Sequence, residues 1–112
     1  IALTGGIVQG IGHTLMEDVT RTPKGAIRES SLFTYRLPTR LDVGQIDVGF
    51  EHSYEPTGPF GAKSIGEVCY VPVAPAVCGA VNDALHANLS VLPYDPDCIL
   101  KYLAEVRENH DA

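Results

Sequence analysis

The chain has 112 residues, of which 45% are hydrophobic, and it carries a net charge of −6. This length is close to that of one domain, so we predict that residues 1–112 fold as a single unit. The eight Lys and Arg residues are scattered along the chain, which argues against nucleic acid as a partner because nucleic-acid binders carry a basic patch. The longest apolar run, residues 68–81, is interrupted by Pro72 and Pro75 and is too short to cross a bilayer, so no membrane association is predicted.

Cysteine and histidine residues are few and dispersed. The three cysteines, Cys69, Cys78 and Cys98, fit neither a disulfide framework nor a CxxC metal or redox motif, so we expect buried thiols in a reducing, cytoplasmic compartment. The four histidines are equally scattered, and their spacing assembles no zinc or iron–sulfur site. We therefore predict no metal ligand from this chain. The first residues also lack the basic and apolar regions of a secretory signal.

The first predicted element is a helix over residues 7–19. Its apolar residues recur at three- and four-residue steps, at Val8, Ile11, Leu15 and Val19. The region is rich in glycine, which lowers helix stability and indicates that another backbone or a ligand approaches closely. Tight helix packing is the simpler explanation. The glycines are Gly5, Gly6, Gly10 and Gly12.

The middle of the chain predicts turns and extended segments. Residues 22–25 read Thr-Pro-Lys-Gly, which is turn chemistry, and residues 31–35 are predicted to be extended. Residues 45–51 alternate polar and apolar side chains, the pattern of a half-buried strand. One face of this strand would carry Ile46, Val48 and Phe50.

The last part of the chain predicts a long loop followed by two helices. Residues 53–66 are rich in Pro and Gly and predict an ordered loop. Helical spacing returns over residues 74–85. Asp95 and Pro96 then supply an N-cap and a first-turn proline for a helix over residues 96–107. Together these elements predict an α+β fold, in which a small sheet packs with about three helices.

The stretch GPFGAKSIGE, residues 58–67, places a carboxylate at the end of the glycine-rich loop and just before a helix. From the residues alone, the simplest reading of Glu67 is an acid that stabilises a helix start. Its apolar neighbours are the kind of surroundings that enzymes give to a general base. Both readings of Glu67 stay open at this point.

Taken with its flanking blocks, this loop resembles the C-terminal part of the molybdenum-cofactor-binding subunit of the xanthine dehydrogenase and aldehyde oxidase family. The flanking blocks are GGIVQGIGHTLMEDV, YRLPTRLDVGQIDVGFEH, VAPAVCGAVNDAL and LPYDPDCIL. Their order is that of the family. The resemblance covers residues 5–103 and implies that the chain is a C-terminal segment of the molybdopterin-binding domain.

The resemblance also implies a function. Glu67 matches the family's catalytic glutamate, while Ile65 and Gly66 match backbone positions that line the cofactor side of the pocket. The implied cofactor is molybdenum-molybdopterin, and the implied reaction hydroxylates a heteroaromatic or aldehyde substrate with oxygen from water. Electrons would leave through iron–sulfur clusters and FAD on partner subunits. The remaining molybdenum-binding segment or subunit would be needed as well, so we expect the chain to be inactive alone.

One position departs from the family pattern. A glutamine that contacts the pterin in the family corresponds to Ala2 in this chain, and Gln9 is expected to cap or bridge backbone groups. Two alternatives therefore remain: a non-catalytic assembly module, and a free-standing small-molecule-binding domain with an anion site at a helix N-terminus. A large exposed apolar surface is expected near the glycine-rich helix, where a larger protein would cover it.

Overall fold

The computed structural model describes residues 1–110, which contain three α-helices joined by irregular segments. Helix α1 comprises Ala2–Leu15, α2 comprises Val73–Leu85 and α3 comprises Pro96–His110. Short 3-10 turns lie at Pro59–Gly61 and Glu67–Cys69. Helices therefore occur in the three regions where periodicity predicted them, although their bounds differ from those predicted.

Helix α1 begins and ends earlier than predicted, and its glycines are part of the helix. A Cβ added to Gly10 would lie 2.5 Å from the Cβ of Val73, so α1 and α2 approach closely at this point. The helix ends at Leu15, and beyond it the Glu17 amide donates a hydrogen bond back to the Gly12 carbonyl at 2.8 Å. Close packing against α2 thus explains Gly10, whereas Gly5 would carry a Cβ with no atom within 4 Å.

The predicted sheet is absent from the part of the chain that the structure describes, so the α+β prediction is wrong. Residues 45–51 have no regular secondary structure, and the single β-bridge, between Arg21 and Ile27, is isolated. Alternating polarity specifies a strand only where a neighbouring segment pairs with it and a second layer covers its apolar face. Residues 45–51 have neither here, and Phe50 is 66% exposed.

Two short segments show how far local sequence determines backbone structure. The predicted turn at residues 22–25 is confirmed: the Gly25 amide donates to the Thr22 carbonyl at 2.8 Å, and Gly25 adopts a φ of +86°. The predicted extended segment 31–35 is wrong, because the Tyr35 amide donates to the Ser31 carbonyl at 2.8 Å and closes a turn.

The start of α3 forms as predicted. The Asp95 carboxylate accepts a hydrogen bond from the Cys98 amide at 2.8 Å, and Pro96 is the first helical residue. Just before this cap, the buried Tyr94 donates its amide to the carbonyl of Thr14 at 2.7 Å. This bond ties the segment before α3 to the end of α1.

The chain as a whole is extended and exposes much apolar surface. Its radius of gyration is 18.4 Å, against about 13 Å for a compact domain of this length. Its accessible surface is 8964 Å², against about 6,000 Å² for a monomeric protein of this mass. An apolar surface was expected near α1, but most of the exposed apolar side chains lie in the segment between α1 and α2. Among the most exposed are Leu32, Phe33, Leu41 and Phe60.

One stretch, Glu67–Leu85, has the length and apolar character of a membrane-spanning helix, with 19 residues and a mean hydropathy of 1.4. It combines the 3-10 turn with α2, and α2 packs against α1. A single stretch of this kind is weak support for a membrane span, because core helices of soluble proteins meet the same criteria. The absence of a membrane partner stays a prediction.

Candidate functional site

A groove lies between the first part of α1 and the turn that leads into α2, and we call it the Gln9–Glu67 groove. Its volume is about 510 Å³. It brings the catalytic residue suggested by the sequence next to residues that lie far away along the chain. The lining residues are Ala2, Gly6, Gln9, Gly66, Glu67, Tyr70 and Val71.

Glu67 is placed in this groove by a short turn. It is the first residue of the 3-10 turn, and its carbonyl accepts hydrogen bonds from the amides of Tyr70 at 3.0 Å and Val71 at 3.2 Å. The side chain is exposed, and within residues 1–110 no group hydrogen-bonds to its carboxylate or forms an ion pair with it. The carboxylate is therefore available to a ligand.

The two predicted cofactor-contacting residues take different positions. Gly66 lines the groove beside Glu67, has a φ of −71° and would carry a Cβ with no atom within 4 Å. Neither its backbone conformation nor its surroundings in this chain require glycine. Ile65 is 43% exposed and does not line the groove. The structure thus brings Gly66 and Glu67 together and leaves Ile65 outside.

Gln9 and Tyr70 line the groove although neither was predicted from the sequence to be part of the site. Gln9 was expected to bind backbone groups, but among the hydrogen bonds of residues 1–110 none involves its side chain, which is exposed at the groove. Ala2, Gly6 and Gln9 lie on the same face of α1, and their successive i, i+4 and i, i+3 steps were a signal that could have found this face. Tyr70 stacks edge-on against His13, with ring centroids 6.2 Å apart.

The wall between α1 and the Glu67 turn is tightly packed. The Cys69 thiol donates a hydrogen bond to the Gly66 carbonyl at 2.9 Å. A Cβ added to Gly6 would lie 2.5 Å from the Cys69 sulfur. A side chain at position 6 would therefore displace the sulfur atom, which fills the space between the helix and the turn.

A larger groove of about 800 Å³ lies near the start of α3, and its walls are mostly apolar. Three of its ionisable side chains, Tyr35, Asp42 and Tyr94, are hydrogen-bonded within the chain, whereas Arg36 has no such partner among residues 1–110. The Thr39 hydroxyl donates to the Asp42 carboxylate at 2.6 Å and lowers the pKa of Asp42. The Tyr35 hydroxyl donates to the Glu17 carboxylate, which raises the pKa of Tyr35. This groove therefore offers mainly apolar surface, whereas the Gln9–Glu67 groove offers a free carboxylate and a free amide.

Metal binding by side chains has no candidate site among the described residues. No three His, Cys, Asp or Glu side chains lie close enough together to hold a metal ion. The three cysteines are free and half-buried.

Comparisons with known proteins agree on one family. Residues 2–44 match the family model of the molybdopterin cofactor-binding domain. The chain is 37% identical over 93 residues to the xanthine dehydrogenase molybdenum-binding subunit of Escherichia coli O157:H7, covering 82% of this chain and 12% of that protein. It is 32% identical over 101 residues to the aldehyde oxidoreductase of Megalodesulfovibrio gigas, covering 88% of this chain and 11% of the relative.

A solved structure has the same fold. The crystal structure of quinoline 2-oxidoreductase from Pseudomonas putida 86 matches with a TM-score of 0.82 and 35% sequence identity, covering 89% of this chain and 13% of that one. The chain thus spans between 11% and 13% of the length of these relatives.

Proposed function

The chain belongs to the xanthine dehydrogenase and aldehyde oxidoreductase family of molybdenum-binding subunits, and from this premise we propose that it supplies the catalytic base and one wall of the cofactor site. The observation that carries the proposal is the Gln9–Glu67 groove. There an unpaired carboxylate stands opposite the face of α1 that lies within the matched molybdopterin domain, residues 2–44. Sequence-distant groups that converge on one groove are typical of a functional site.

The groove residues suit the molybdenum cofactor. The Gln9 amide offers donors and an acceptor to a pterin ring, and Gly66 leaves open space beside its backbone. Because the described residues contain no set of metal-ligating side chains, we propose that the metal is carried by molybdopterin. When bound, the cofactor supplies the oxidation-reduction chemistry, and the protein supplies orientation and a base. A role for the Ile65 backbone in the same wall stays part of the proposal.

The proposed reaction is hydroxylation of a heteroaromatic or aldehyde substrate. The carbon–hydrogen bond of an electron-poor carbon is replaced by a bond to oxygen that comes from water, and the substrate is oxidised by two electrons. The Glu67 carboxylate accepts a proton from the attacking, water-derived oxygen. The electrons pass to iron–sulfur clusters and FAD on partner subunits. The assembled enzyme also requires the remaining molybdenum-binding segment or subunit, and we place it in the cytoplasm.

A second candidate is the non-catalytic assembly module. It is favoured by the extent of the exposed surface, 8964 Å², which suits a chain whose main task is to pack against other polypeptide. In that case Glu67 is only an acid at the start of a turn. The family match excludes the other alternative, a domain unrelated to molybdenum.

The deciding experiment replaces the base in the assembled enzyme. Glu67→Gln keeps the size of the side chain and removes its ability to accept the proton, so the turnover number should fall by roughly 10²- to 10⁴-fold. Turnover is measured with xanthine, benzaldehyde and quinoline as probes and a dye as electron acceptor, in water labelled with ¹⁸O to trace the product oxygen. Molybdenum and pterin contents should not change.

The matched control is Glu51→Gln, which alters an exposed acid outside both grooves and should leave turnover intact. Full turnover in a molybdenum-replete Glu67→Gln enzyme would contradict the catalytic role and support the assembly module.

A further inference from the structure

The turn that carries Glu67 is held by one side chain. The Cys69 sulfur lies 2.9 Å from the carbonyl oxygen of Gly66, the residue directly before Glu67. Two further carbonyl oxygens surround it, that of Ile65 at 3.7 Å and that of Ala2 on α1 at 4.0 Å. The thiol therefore contacts both the backbone before the catalytic carboxylate and the helix on the other side of the groove.

On the side of α1, the Cys69 sulfur leaves no room for a side chain at position 6. With a Cβ on Gly6, the sulfur would be 2.5 Å away, whereas the nearest backbone atoms of the turn, Gly66 O and Tyr70 N, would both be 3.6 Å away. The sulfur is thus the atom of the turn that lies nearest to this face of α1.

We propose that Cys69 is a positioning residue for Glu67, and this rests on the proposed role of Glu67 as the base. The 3-10 turn spans only Glu67–Cys69, and a turn this short has little stability of its own. A base must lie within hydrogen-bonding reach of the proton that it accepts, and a displacement of about 1 Å can cost roughly 10²-fold in rate. The thiol supplies both a hydrogen bond and a spacer at this turn.

The test uses paired substitutions in the assembled enzyme. Cys69→Ala removes the donor and the spacer, and the turnover number for whichever of xanthine, benzaldehyde or quinoline is the best probe should fall by about tenfold or more, with KM little changed. Cys69→Ser keeps a donor of similar size and should recover most of the turnover. Cys78→Ala removes another half-buried thiol, on α2, and should have no effect.

A double-mutant cycle separates this proposal from the one on which it rests. If Cys69 acts through Glu67, adding Cys69→Ala to Glu67→Gln should lower turnover no further. An equal fold-loss in both backgrounds, or unchanged turnover in Cys69→Ala, would overturn the positioning role while the Glu67 role stood. Full turnover in Glu67→Gln would instead remove the catalytic role itself.

Gly6→Ala keeps the test decisive even if Cys69→Ala loses cofactor. The added methyl group displaces the sulfur without removing it, so turnover should again fall with molybdenum content unchanged. Since the methyl group has room once the sulfur is gone, the variant with both Gly6→Ala and Cys69→Ala should be no slower than Cys69→Ala. Unchanged turnover in Gly6→Ala would contradict the role of the sulfur as a spacer. So would a double variant whose loss of turnover is the product of the losses in Gly6→Ala and Cys69→Ala.

Discussion

Helices α1 and α2 pack directly against each other, whereas residues 16–58 contain no helix and leave most of their large apolar side chains exposed, although Pro38 packs against Gly12 of α1. At the helix contact, Gly10 sits against Val73 with no room for a methyl group. In the connecting segment, Gly44 and Gly49 would carry a Cβ in open space, and large apolar side chains stay exposed. The helical wall of the groove therefore rests on close packing within the chain, while the connecting segment leaves much apolar surface exposed.

The largest expected effect comes from a substitution that disrupts the contact between α1 and α2. Gly10→Ala places a Cβ 2.5 Å from the Cβ of Val73, which cannot move without moving α2, so the substitution should destabilise the assembled protein by about 1–3 kcal/mol. The measurement is the midpoint of thermal and denaturant unfolding.

The matched control for Gly10→Ala lies on α2. Gly79→Ala adds a methyl group in open space inside a helix, where alanine is favoured over glycine by up to about 1 kcal/mol. It should leave the midpoint unchanged or raise it. Equal losses from both substitutions would show that the two glycines do not differ as the structure indicates.

The parts of the fold that depend on neighbours along the chain could be predicted from the sequence. The Asp95 cap, the turn at residues 22–25 and the helical regions all rest on local patterns. The strand at residues 45–51 was wrong because a strand needs a partner from elsewhere, which alternating polarity alone cannot supply. For the site, Glu67 and Gly66 came from the resemblance, whereas Gln9 needed the three-dimensional approach of α1 to the Glu67 turn.

A smaller effect is expected from a substitution at the N-cap of α3. Asp95→Ala removes the acceptor for the Cys98 amide and should cost about 1 kcal/mol, the usual value for a lost N-cap. Asp95→Asn is the control, because asparagine caps helices about as well as aspartate. The measurement is again the unfolding midpoint. A loss as large from Asp95→Asn would mean that the charge, and not the cap geometry, stabilises this helix.

The smallest expected effect lies in the connecting segment, at an exposed carboxylate that is held by local hydrogen bonds. The Thr39 hydroxyl and amide donate to Asp42 at 2.6 and 2.7 Å, which lowers the pKa of Asp42 in the folded protein. A carboxyl whose pKa is lowered by folding stabilises the folded state above its unfolded pKa, about 3.9 for Asp, and this contribution is lost as the pH falls through the lowered folded value.

Thr39→Val removes one of these donors, so it should lower the unfolding midpoint slightly at neutral pH. The difference from the unsubstituted protein should shrink as the pH falls below about 3.9. Thr34→Val is the control, because the Thr34 hydroxyl donates to the Ser31 carbonyl and to no carboxylate, and its effect should not vary with pH in this range. A Thr39→Val difference that stays constant down to the lowest pH, or one as large as that of Gly10→Ala, would show that the connecting segment holds its shape by contacts of its own. In that case the contrast between the two regions would be smaller than their packing indicates.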